Sequence, residues 1–260
     1  MNLCKNVLIL YAIDSVQLRP TVRNMAKALE YDVSLLERLY TKATQDVGII
    51  KTMLDVQYRS PRILNLFPSN EFYEGQLKTH EANAEVSDFL SMSKFPWPTH
   101  NGSLIPTVFV QCGEEEDMGD RSKSNQGQVD LIHHIQPLIT AQKPDTGEIN
   151  SQLASLKITV LSPYTKQIQA LRHKLPSSIP CSTIDSFQGR ESDIVIFSGV
   201  RCNAEGDVGF LDDPRRLNVM WTRAKLALII VGDRRTMSCN QLWKRALDAC
   251  TEVIIDLPTA

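Results

Sequence analysis

Arginines and a glutamate in the last third of the chain have the residue types and the spacing to bind an anionic ligand. Arg216 and Arg223 lie seven positions apart, and Glu191 ends the polar segment QGRE, in which Gly189 is suited to a tight turn. Guanidinium groups form charged, often bidentate hydrogen bonds with phosphate and carboxylate oxygens. The pair of arginines therefore indicates a site for an anion.

Two apolar runs flank these residues and predict the strands that position them. Residues 194–197 (IVIF) and 227–231 (ALIIV) are short continuous apolar segments, which are typical of buried strands. The second run ends at Gly232 and Asp233. The order strand, long loop, helix and strand is typical of an α/β unit.

A helix over residues 215–225 is predicted between these strands. Asp213 is suited to cap it and Pro214 to occupy its first position. On this helix Arg216 and Arg223 would lie on one stripe, offset by roughly 20°. Apolar residues recur at helical spacing and predict a face that packs on a core: Leu217, Met220, Trp221 and Ala224.

Polar residues follow other predicted strands and precede helices. Residues 157–161 are followed by Ser-Pro-Tyr and a helix over 167–174, and residues 53–56 are followed by Gln-Tyr-Arg and another helix. A strand over 6–12 runs into an acidic and amide-rich segment. This alternation predicts an α/β fold, with a mostly parallel sheet, helices on both faces and functional groups at the carboxyl ends of the strands.

The segment from 78 to 127 is irregular and rich in turn-forming residues. It is predicted to hold one strand, over 107–110, and the acidic run 114–117 is predicted to be a solvated face. A helix over 128–141 follows.

The composition excludes several classes of protein. A formal charge of -2 gives no overall basic footprint, so a nucleic-acid site would have to be a local patch. No apolar run reaches membrane-spanning length, and the first residues lack a cleavage signal, so we expect an intracellular protein, cytoplasmic or nuclear, with no membrane partner. Six cysteines without a CxxC pair favour scattered reduced thiols over a zinc site or a disulfide framework.

Four segments in order carry a resemblance to a known family. They are LDVQYRSPRILNLFPSNEFYEGQL, LSPYTKQIQAL, STIDSFQGRESDIVIFSGVR and GFLDDPRRLNVMWTRAKLALIIVGD. Together they resemble the carboxyl-terminal RecA-like domain, a P-loop NTPase fold, of superfamily 1 helicases, in the group that includes the nonsense-mediated-decay helicase. The resemblance covers most of residues 35–245. The segment DSVQLRP near the amino terminus is similar to motif III, at the end of the first RecA-like domain.

The resemblance implies roles for residues at matching positions. Gln17 would sense the terminal phosphate of ATP across the cleft between two RecA-like domains. Tyr58 would contact the adenine, and Arg59 and Arg223 would be arginine fingers on the phosphates. Glu191 would bind the ribose.

Further positions in these segments follow from the same resemblance. Gly189 and Arg216 fall among the nucleotide-binding residues. The implied contacts with single-stranded RNA or DNA are Pro163, Tyr164, Thr183 and Ser186.

Three departures from the family pattern affect particular elements. Ile13 stands where motif III normally has glycine, which predicts an altered turn because a β-branched residue does not easily adopt a positive φ. Met220 and Trp221 replace smaller residues, yet they are apolar, so we expect core packing to survive. Ser162 replaces a usual threonine and keeps the hydroxyl.

The sequence contains no GxxxxGK[ST] loop and no paired acidic motif for Mg²⁺. We therefore expect residues 1–45 to be the tail of a first RecA-like domain and residues 46–260 to be the second. ATP and Mg²⁺ would require the first domain, in the same longer chain, and the isolated chain would be inactive. A fragment, a truncated gene model and a degenerate stand-alone domain all remain open.

Three functions fit these observations. The first is the second motor domain of an ATP-dependent helicase. The second is a non-catalytic module, derived from a helicase, that binds nucleic acid or protein, and the third is a different α/β nucleotide-binding enzyme. Both arginine fingers together with Gln17 and Glu191 favour the first, since a scaffold has no need of them.

Overall fold

The computed structural model divides the chain into two compact units, Met1–Met53 and Leu54–Ala260. The structure describes residues 14, 16–20, 22, 25, 28–35, 37–38, 52–83, 88–117, 119, 122–144 and 151–255. The predicted strand over 6–12 and the departure at Ile13 lie outside the described residues. The assignment of 1–45 and 46–260 to two RecA-like domains stays a prediction.

In the first unit, Arg19 connects two acidic side chains. Its Nη1 donates to Asp32 Oδ2 at 3.2 Å, and its Nε donates to Glu37 Oε2 at 2.9 Å. Gln17 Nε2 donates to Asp14 Oδ2 at 2.7 Å. The amide of Gln17 is therefore engaged with a neighbouring carboxylate within its own unit.

The second unit contains a parallel sheet, and its elements alternate between strands and helices. Within the described residues six strands form the sheet in the order β10-β5-β9-β8-β6-β7, and every pair of neighbours is parallel. The elements in chain order are β1 (Val56–Gln57), α1 (Arg62–Phe72), β2 (Lys78–Thr79), β3 (Thr99–His100), β4 (Ser103–Leu104), β5 (Thr107–Gln111), α2 (Gln126–Thr140), α3 (Ser151–Ala154), β6 (Ile158–Ser162), α4 (Thr165–Lys174), β7 (Cys181–Thr183), α5 (Ile184–Phe187), β8 (Ser192–Ser198), α6 (Pro214–Trp221), β9 (Ala224–Gly232), α7 (Arg234–Met237), α8 (Gln241–Asp248) and β10 (Thr251–Glu252).

Consecutive residues of β8 show why helices must cover both faces of this sheet. Ile196 packs in the main apolar cluster, to which α2 contributes Ile132 and Ile135. The next residue, Phe197, points to the opposite face and stacks on Trp243 of α8 at 5.5 Å between ring centroids. Both β8 residues are fully buried, so the predicted α/β fold with a two-sided parallel sheet is confirmed.

The helix that follows the long loop is shorter than predicted. Asp213 caps it as expected, accepting from Arg215 N at 2.9 Å, but it ends at Trp221 rather than at residue 225. The side chain of Thr222 donates to Asn218 O at 2.7 Å and so satisfies a carbonyl of the last turn. Ala224 already pairs with Ser192 of β8, so the chain continues as a strand of the sheet and the helix ends. The prediction that Arg223 shares a helical stripe with Arg216 is wrong.

The acidic run 114–117 is only partly a solvated face. Glu114, Glu115 and Asp117 are exposed, as predicted, but the side chain of Glu116 is only 2% exposed. Its Oε2 accepts from Arg201 Nε at 3.0 Å and from the backbone N–H of Cys202 at 2.8 Å. The prediction is therefore wrong for Glu116, because Arg201, a buried arginine in the loop after β8, needs a buried anion.

Gly209→Ala is expected to lower the free energy of unfolding by about 2–4 kcal/mol. Its φ is +52°, and an added Cβ would lie 2.2 Å from Arg201 Nη1 and 2.6 Å from Tyr164 Oη. Urea denaturation of the variant and the parent protein measures the loss.

Gly102→Ala is the matched control for this substitution. Gly102 also has a positive φ, +81°, but a Cβ there would meet nothing within 4 Å. Gly102→Ala is therefore expected to lower the free energy of unfolding only by the backbone strain, about 1–2 kcal/mol. Equal losses at the two glycines would show that the crowding around Gly209 contributes nothing.

Candidate functional site

Arg59 brings together three segments that are distant in sequence. It lies in the turn between β1 and α1, as predicted, and its Nε donates to Glu191 Oε2 at 2.7 Å. Its Nη1 donates to the backbone carbonyl of Thr222 at 2.8 Å. The side chain of Arg59 is 31% exposed, so the guanidinium lies at the surface where these segments meet.

Arg223 lies beside this meeting point, in the turn between α6 and β9. Its side chain is enclosed by backbone, since Nε donates to Val219 O at 3.0 Å and Nη1 donates to Arg190 O at 3.4 Å. Nη2 donates to Thr222 Oγ1 at 2.9 Å. The residue as a whole is 3% exposed. Its orientation is therefore fixed by the end of α6 and by the loop that carries Glu191.

Glu191 is the acidic centre of this group. Its pKa is lowered from the usual value because Arg59 donates a hydrogen bond to it, against a smaller opposing effect of burial. The positive charges of Lys225 and Arg223 lower it further. Lys225 Nζ lies 3.9 Å from Glu191 Oε1. The carboxylate is therefore ionised at neutral pH and faces three cations.

Tyr58 presents an aromatic ring next to Arg59. The residue is 65% exposed, and its ring centroid lies 4.6 Å from that of His80. The parallel pairing of β1 with β2 sets these two residues side by side, since His80 N donates to Gln57 O at 2.9 Å. An exposed ring at this position can stack on a planar group of a ligand.

Gly189 provides the turn before Glu191. Its φ is +81°, a conformation that favours glycine, and a Cβ there would meet nothing within 4 Å. The predicted tight turn at Gly189 is confirmed. The backbone conformation, rather than close packing, explains the glycine.

Arg216 does not join this group. Its guanidinium makes a two-point contact with Asp185 of α5, with Nε at 3.0 Å and Nη2 at 3.1 Å from the two carboxylate oxygens. The hydrogen bond from Arg216 to Asp185 is also the main reason that the pKa of this arginine is raised. Arg216 therefore connects α6 to α5.

The four residues expected to contact nucleic acid lie at the carboxyl ends of β6 and β7. These strands are neighbours, with Ser162 opposite Thr183. Thr183 caps α5 by accepting from Ser186 N at 3.3 Å, and the hydroxyls of these two residues also contact each other. Pro163 is half-buried in the turn between β6 and α4.

Tyr164 differs from the other three residues because its side chain is buried. The residue is 3% exposed. Its hydroxyl accepts from Arg201 Nη1 at 3.3 Å and from Phe210 N at 3.2 Å. In this conformation the buried side chain of Tyr164 stabilises the turn, and neither face of its ring is accessible to a ligand.

The described residues contain no group of three or more His, Cys, Asp or Glu side chains that could hold a metal ion. Among them, too, no helix is both long and apolar enough to cross a membrane. The described cysteines, at positions 112, 181, 202, 239 and 250, are free thiols.

Comparison with known proteins identifies the family of this chain. A family model described as an AAA domain matches residues 31–235. Over 225 residues the chain is 36% identical to the regulator of nonsense transcripts 1 homolog of Arabidopsis thaliana. The chain belongs to this AAA-domain family of superfamily 1 helicases. The resemblance noted in the sequence is thereby confirmed.

Other relatives of this helicase family match most of the chain. The ATP-dependent helicase NAM7 of Saccharomyces cerevisiae is 32% identical over 90% of the chain, and the DNA-binding protein SMUBP-2 of Mesocricetus auratus is 34% identical over 92%. The chain covers only 16% of the Arabidopsis relative and 24% of each of the other two. It corresponds to one part of these longer proteins.

One solved structure resembles this helicase-family chain. It is the C-terminal domain of a possible DNA helicase from Lactobacillus plantarum, with 12% identity and a TM-score of 0.43 over 75% of this chain and 98% of that one.

Some neighbours of the candidate residues in this helicase-family chain were missed from the sequence. The partner of Arg216, Asp185, lies 31 positions away in a short helix with no periodic pattern of its own. His80, beside Tyr58, follows a two-residue strand that is too short for a strand signal. Lys225 stands in the segment TRAK and could have been assigned to the site on its charge.

Proposed function

We propose that this chain is the second motor domain of an ATP-dependent helicase, and that it supplies Arg59 and Arg223 as arginine fingers to a nucleotide. The observation that carries the proposal is the contact of Arg59 with both Glu191 and Thr222, which are 132 and 163 positions away in the sequence. This contact joins the three segments that resemble nucleotide-binding motifs of the family. Their meeting at one surface supports a common ligand.

The chemistry of phosphoryl transfer suits this group of residues. It requires positive charge on the phosphate oxygens and exact positioning more than covalent help. Arg59 is at present held by Glu191, and an incoming phosphate would compete with that carboxylate for the same guanidinium. Glu191 would then be free to accept from a ribose hydroxyl. The exposed ring of Tyr58 suits an adenine.

A first RecA-like domain would complete the nucleotide site. We assign residues 1–45 to the tail of that domain and residues 46–260 to the second domain. In this assignment Gln17 belongs to the first domain and senses the terminal phosphate, and the phosphate-binding loop and the acids for Mg²⁺ come from the same domain. ATP would supply the free energy for opening and closing the cleft. Gly189 shapes the turn that presents Glu191, while Arg216 acts indirectly by holding α6 against α5.

The carboxyl ends of β6 and β7 would form part of a track for single-stranded RNA or DNA. Thr183 and Ser186 present hydroxyls there, and hydroxyls and backbone amides are common contacts for phosphate oxygens. Pro163 shapes the adjacent turn. Tyr164 is buried below that turn, so we assign to it the support of the track.

A chimaera with the first motor domain of the yeast relative tests this function. We expect it to hydrolyse ATP and to do so faster when single-stranded nucleic acid is added, whereas the isolated chain should show no turnover. Oligonucleotide binding without any turnover in the chimaera would instead support the non-catalytic module. Robust hydrolysis by residues 1–260 alone would contradict the assignment of the phosphate-binding loop to another domain.

Arg59→Ala in this chimaera is expected to lower the stimulated kcat at least about tenfold, because removing an arginine finger removes charge stabilisation of the transition state. Steady-state ATP hydrolysis with saturating oligonucleotide measures the effect. Arg245→Ala is the matched control, since Arg245 Nε donates to Glu71 Oε2 at 2.8 Å in another arginine–glutamate pair of the surface. If both variants lose the same activity, the role of Arg59 is structural.

A further inference from the structure

A buried arginine in the loop after β8 binds a side chain of its own loop and side chains of two other segments. The guanidinium of Arg201 is 6% exposed. Its Nε donates to Glu116 Oε2 at 3.0 Å, its Nη2 to Asp207 Oδ2 at 2.7 Å and its Nη1 to Tyr164 Oη at 3.3 Å. Glu116 lies in the loop after β5 and Tyr164 in the turn between β6 and α4, whereas Asp207 lies in the same loop as Arg201, between β8 and α6. One charge thus holds together three segments at the carboxyl end of the sheet.

The surroundings of this guanidinium bind it in a single arrangement. The carboxylate of Glu116 also accepts from Cys202 N at 2.8 Å and from Asn203 Nδ2 at 3.1 Å. A buried charge is stable only when its hydrogen-bonding groups are paired, so displacing one partner of Arg201 is costly. The segments that share this guanidinium must therefore move together.

Contacts continue from this cluster to α6. The hydroxyl of Tyr164 also accepts from Phe210 N at 3.2 Å, and the two rings lie 5.4 Å apart. The guanidinium of Arg216 lies 5.5 Å from the centroid of the Phe210 ring. A Cβ at position 209 would collide with Arg201 and Tyr164, so the backbone before Phe210 packs closely against both side chains. The turn after β6 is thereby linked to the start of α6 through packed and hydrogen-bonded groups.

We propose that Arg201 is a positioning residue that couples the turn between β6 and α4 to α6, and through α6 to Arg223. The proposal rests on the proposed function, in which single-stranded nucleic acid binds at that turn. Nucleic acid that shifts the turn would shift Tyr164, then Arg201 and Phe210, and then the helix whose end orients Arg223. Nucleic-acid binding would in this way adjust the arginine finger.

Tyr164→Phe is the variant that tests this coupling most directly. It removes the hydroxyl that accepts from Arg201 and Phe210 and keeps the buried ring. Asp207→Asn is a second variant, at a side chain that is 65% exposed, and it removes the charge that faces Arg201 Nη2. Neither change removes an apolar core side chain, so both variants are expected to fold.

Hydrogen–deuterium exchange of the chain, with and without a 20-nucleotide oligouridylate or oligothymidylate, measures the coupling. In the parent protein we expect the oligonucleotide to change exchange by at least about threefold both at the turn after β6 and at the backbone amides of α6. In Tyr164→Phe and Asp207→Asn the change at the turn should persist, and the change at α6 should disappear. A purely structural role of Arg201 would alter exchange equally with and without oligonucleotide.

Thr159→Val is the matched control. Thr159 also lies in β6 and its buried hydroxyl donates to Ser192 Oγ at 3.0 Å, but it is outside the Arg201 cluster. This variant should keep the response of α6 to the oligonucleotide.

The outcomes separate this inference from the function on which it rests. If no oligonucleotide binds, the proposed nucleic-acid track is overturned and the coupling with it. If the oligonucleotide binds but exchange in α6 does not change in the parent protein, only the proposed role of Arg201 is overturned. The same holds if exchange in α6 changes equally in the parent protein, in Tyr164→Phe and in Asp207→Asn. Loss of the α6 response in Thr159→Val as well would also overturn it, because the effect would then follow from any lost buried hydroxyl.

Discussion

Arg223→Ala is expected to reduce nucleic-acid-stimulated ATP hydrolysis of the two-domain chimaera by at least about tenfold, and by as much as roughly 10³–10⁵-fold if the arginine is a complete finger. The reason is that an arginine finger stabilises the charge of the transition state, and that Val219 O, Arg190 O and Thr222 Oγ1 fix the orientation of this guanidinium. Steady-state kcat and KM for ATP at saturating oligonucleotide measure the loss. The loss should fall mainly on kcat.

Arg223→Lys separates charge from geometry in this prediction. Lysine keeps the positive charge but loses the planar fork that makes the three contacts. We expect it to remain well below the parent rate, and thermal unfolding of both variants checks that the fold is kept. An unchanged kcat in Arg223→Ala would remove this residue from the proposed catalytic group.

Trp221→Ala is expected to lower the free energy of unfolding by about 3–5 kcal/mol. Trp221 is 1% exposed, its ring lies 4.3 Å from that of Phe67, and its Nε1 donates to Leu64 O at 2.8 Å. The substitution leaves a cavity between α6 and α1 and an unpaired carbonyl. Urea denaturation followed by circular dichroism measures the loss.

Two further variants show which interactions of Trp221 account for the loss of unfolding free energy in Trp221→Ala. Trp221→Phe keeps an aromatic ring and leaves Leu64 O without its donor, so it should cost less, about 1–3 kcal/mol. Leu66→Ala, on the exposed face of α1 at 56% exposure, should cost less than about 0.5 kcal/mol. If Trp221→Ala costs no more than Leu66→Ala, the indole does not contribute to the packing of α6 on α1.

Trp221 shows which features of the core could be predicted from the sequence and which could not. Its apolar character and helical spacing predicted burial, and the substitution of a large residue at this family position was expected to preserve the core. Both expectations are confirmed, since Met220 and Trp221 are buried. The partner ring, Phe67, and the carbonyl of Leu64 could not be predicted, because they lie 154 and 157 positions away by the sequence numbering.

Local signals predicted the longer elements, with errors at their ends, but they missed the two-residue strands β2, β3 and β4 of the segment predicted to hold only one strand. The run 194–197 lies within β8, Asp213 caps α6 and Gly189 has a positive φ, each as its local chemistry indicated. The end of α6 was missed because Thr222 closes the helix while β9 pairs with β8 from Ala224 onward. Pairing in a sheet depends on a distant strand, and periodicity within one segment does not report it.

The sequence by itself determined the family, the α/β alternation and the candidate residues for an anion site. Only the tertiary structure decided which partners the arginines bind: Arg59 binds Glu191 and Thr222, Arg216 binds Asp185, and Arg201 binds Glu116 and Tyr164. The physical reason is that a charged side chain that is buried, or partly buried, must find its partner in space. Parallel strands bring distant carboxyl-end loops together at one edge, and the contacts made there separate the arginines that we propose for phosphate binding from those that hold the loops.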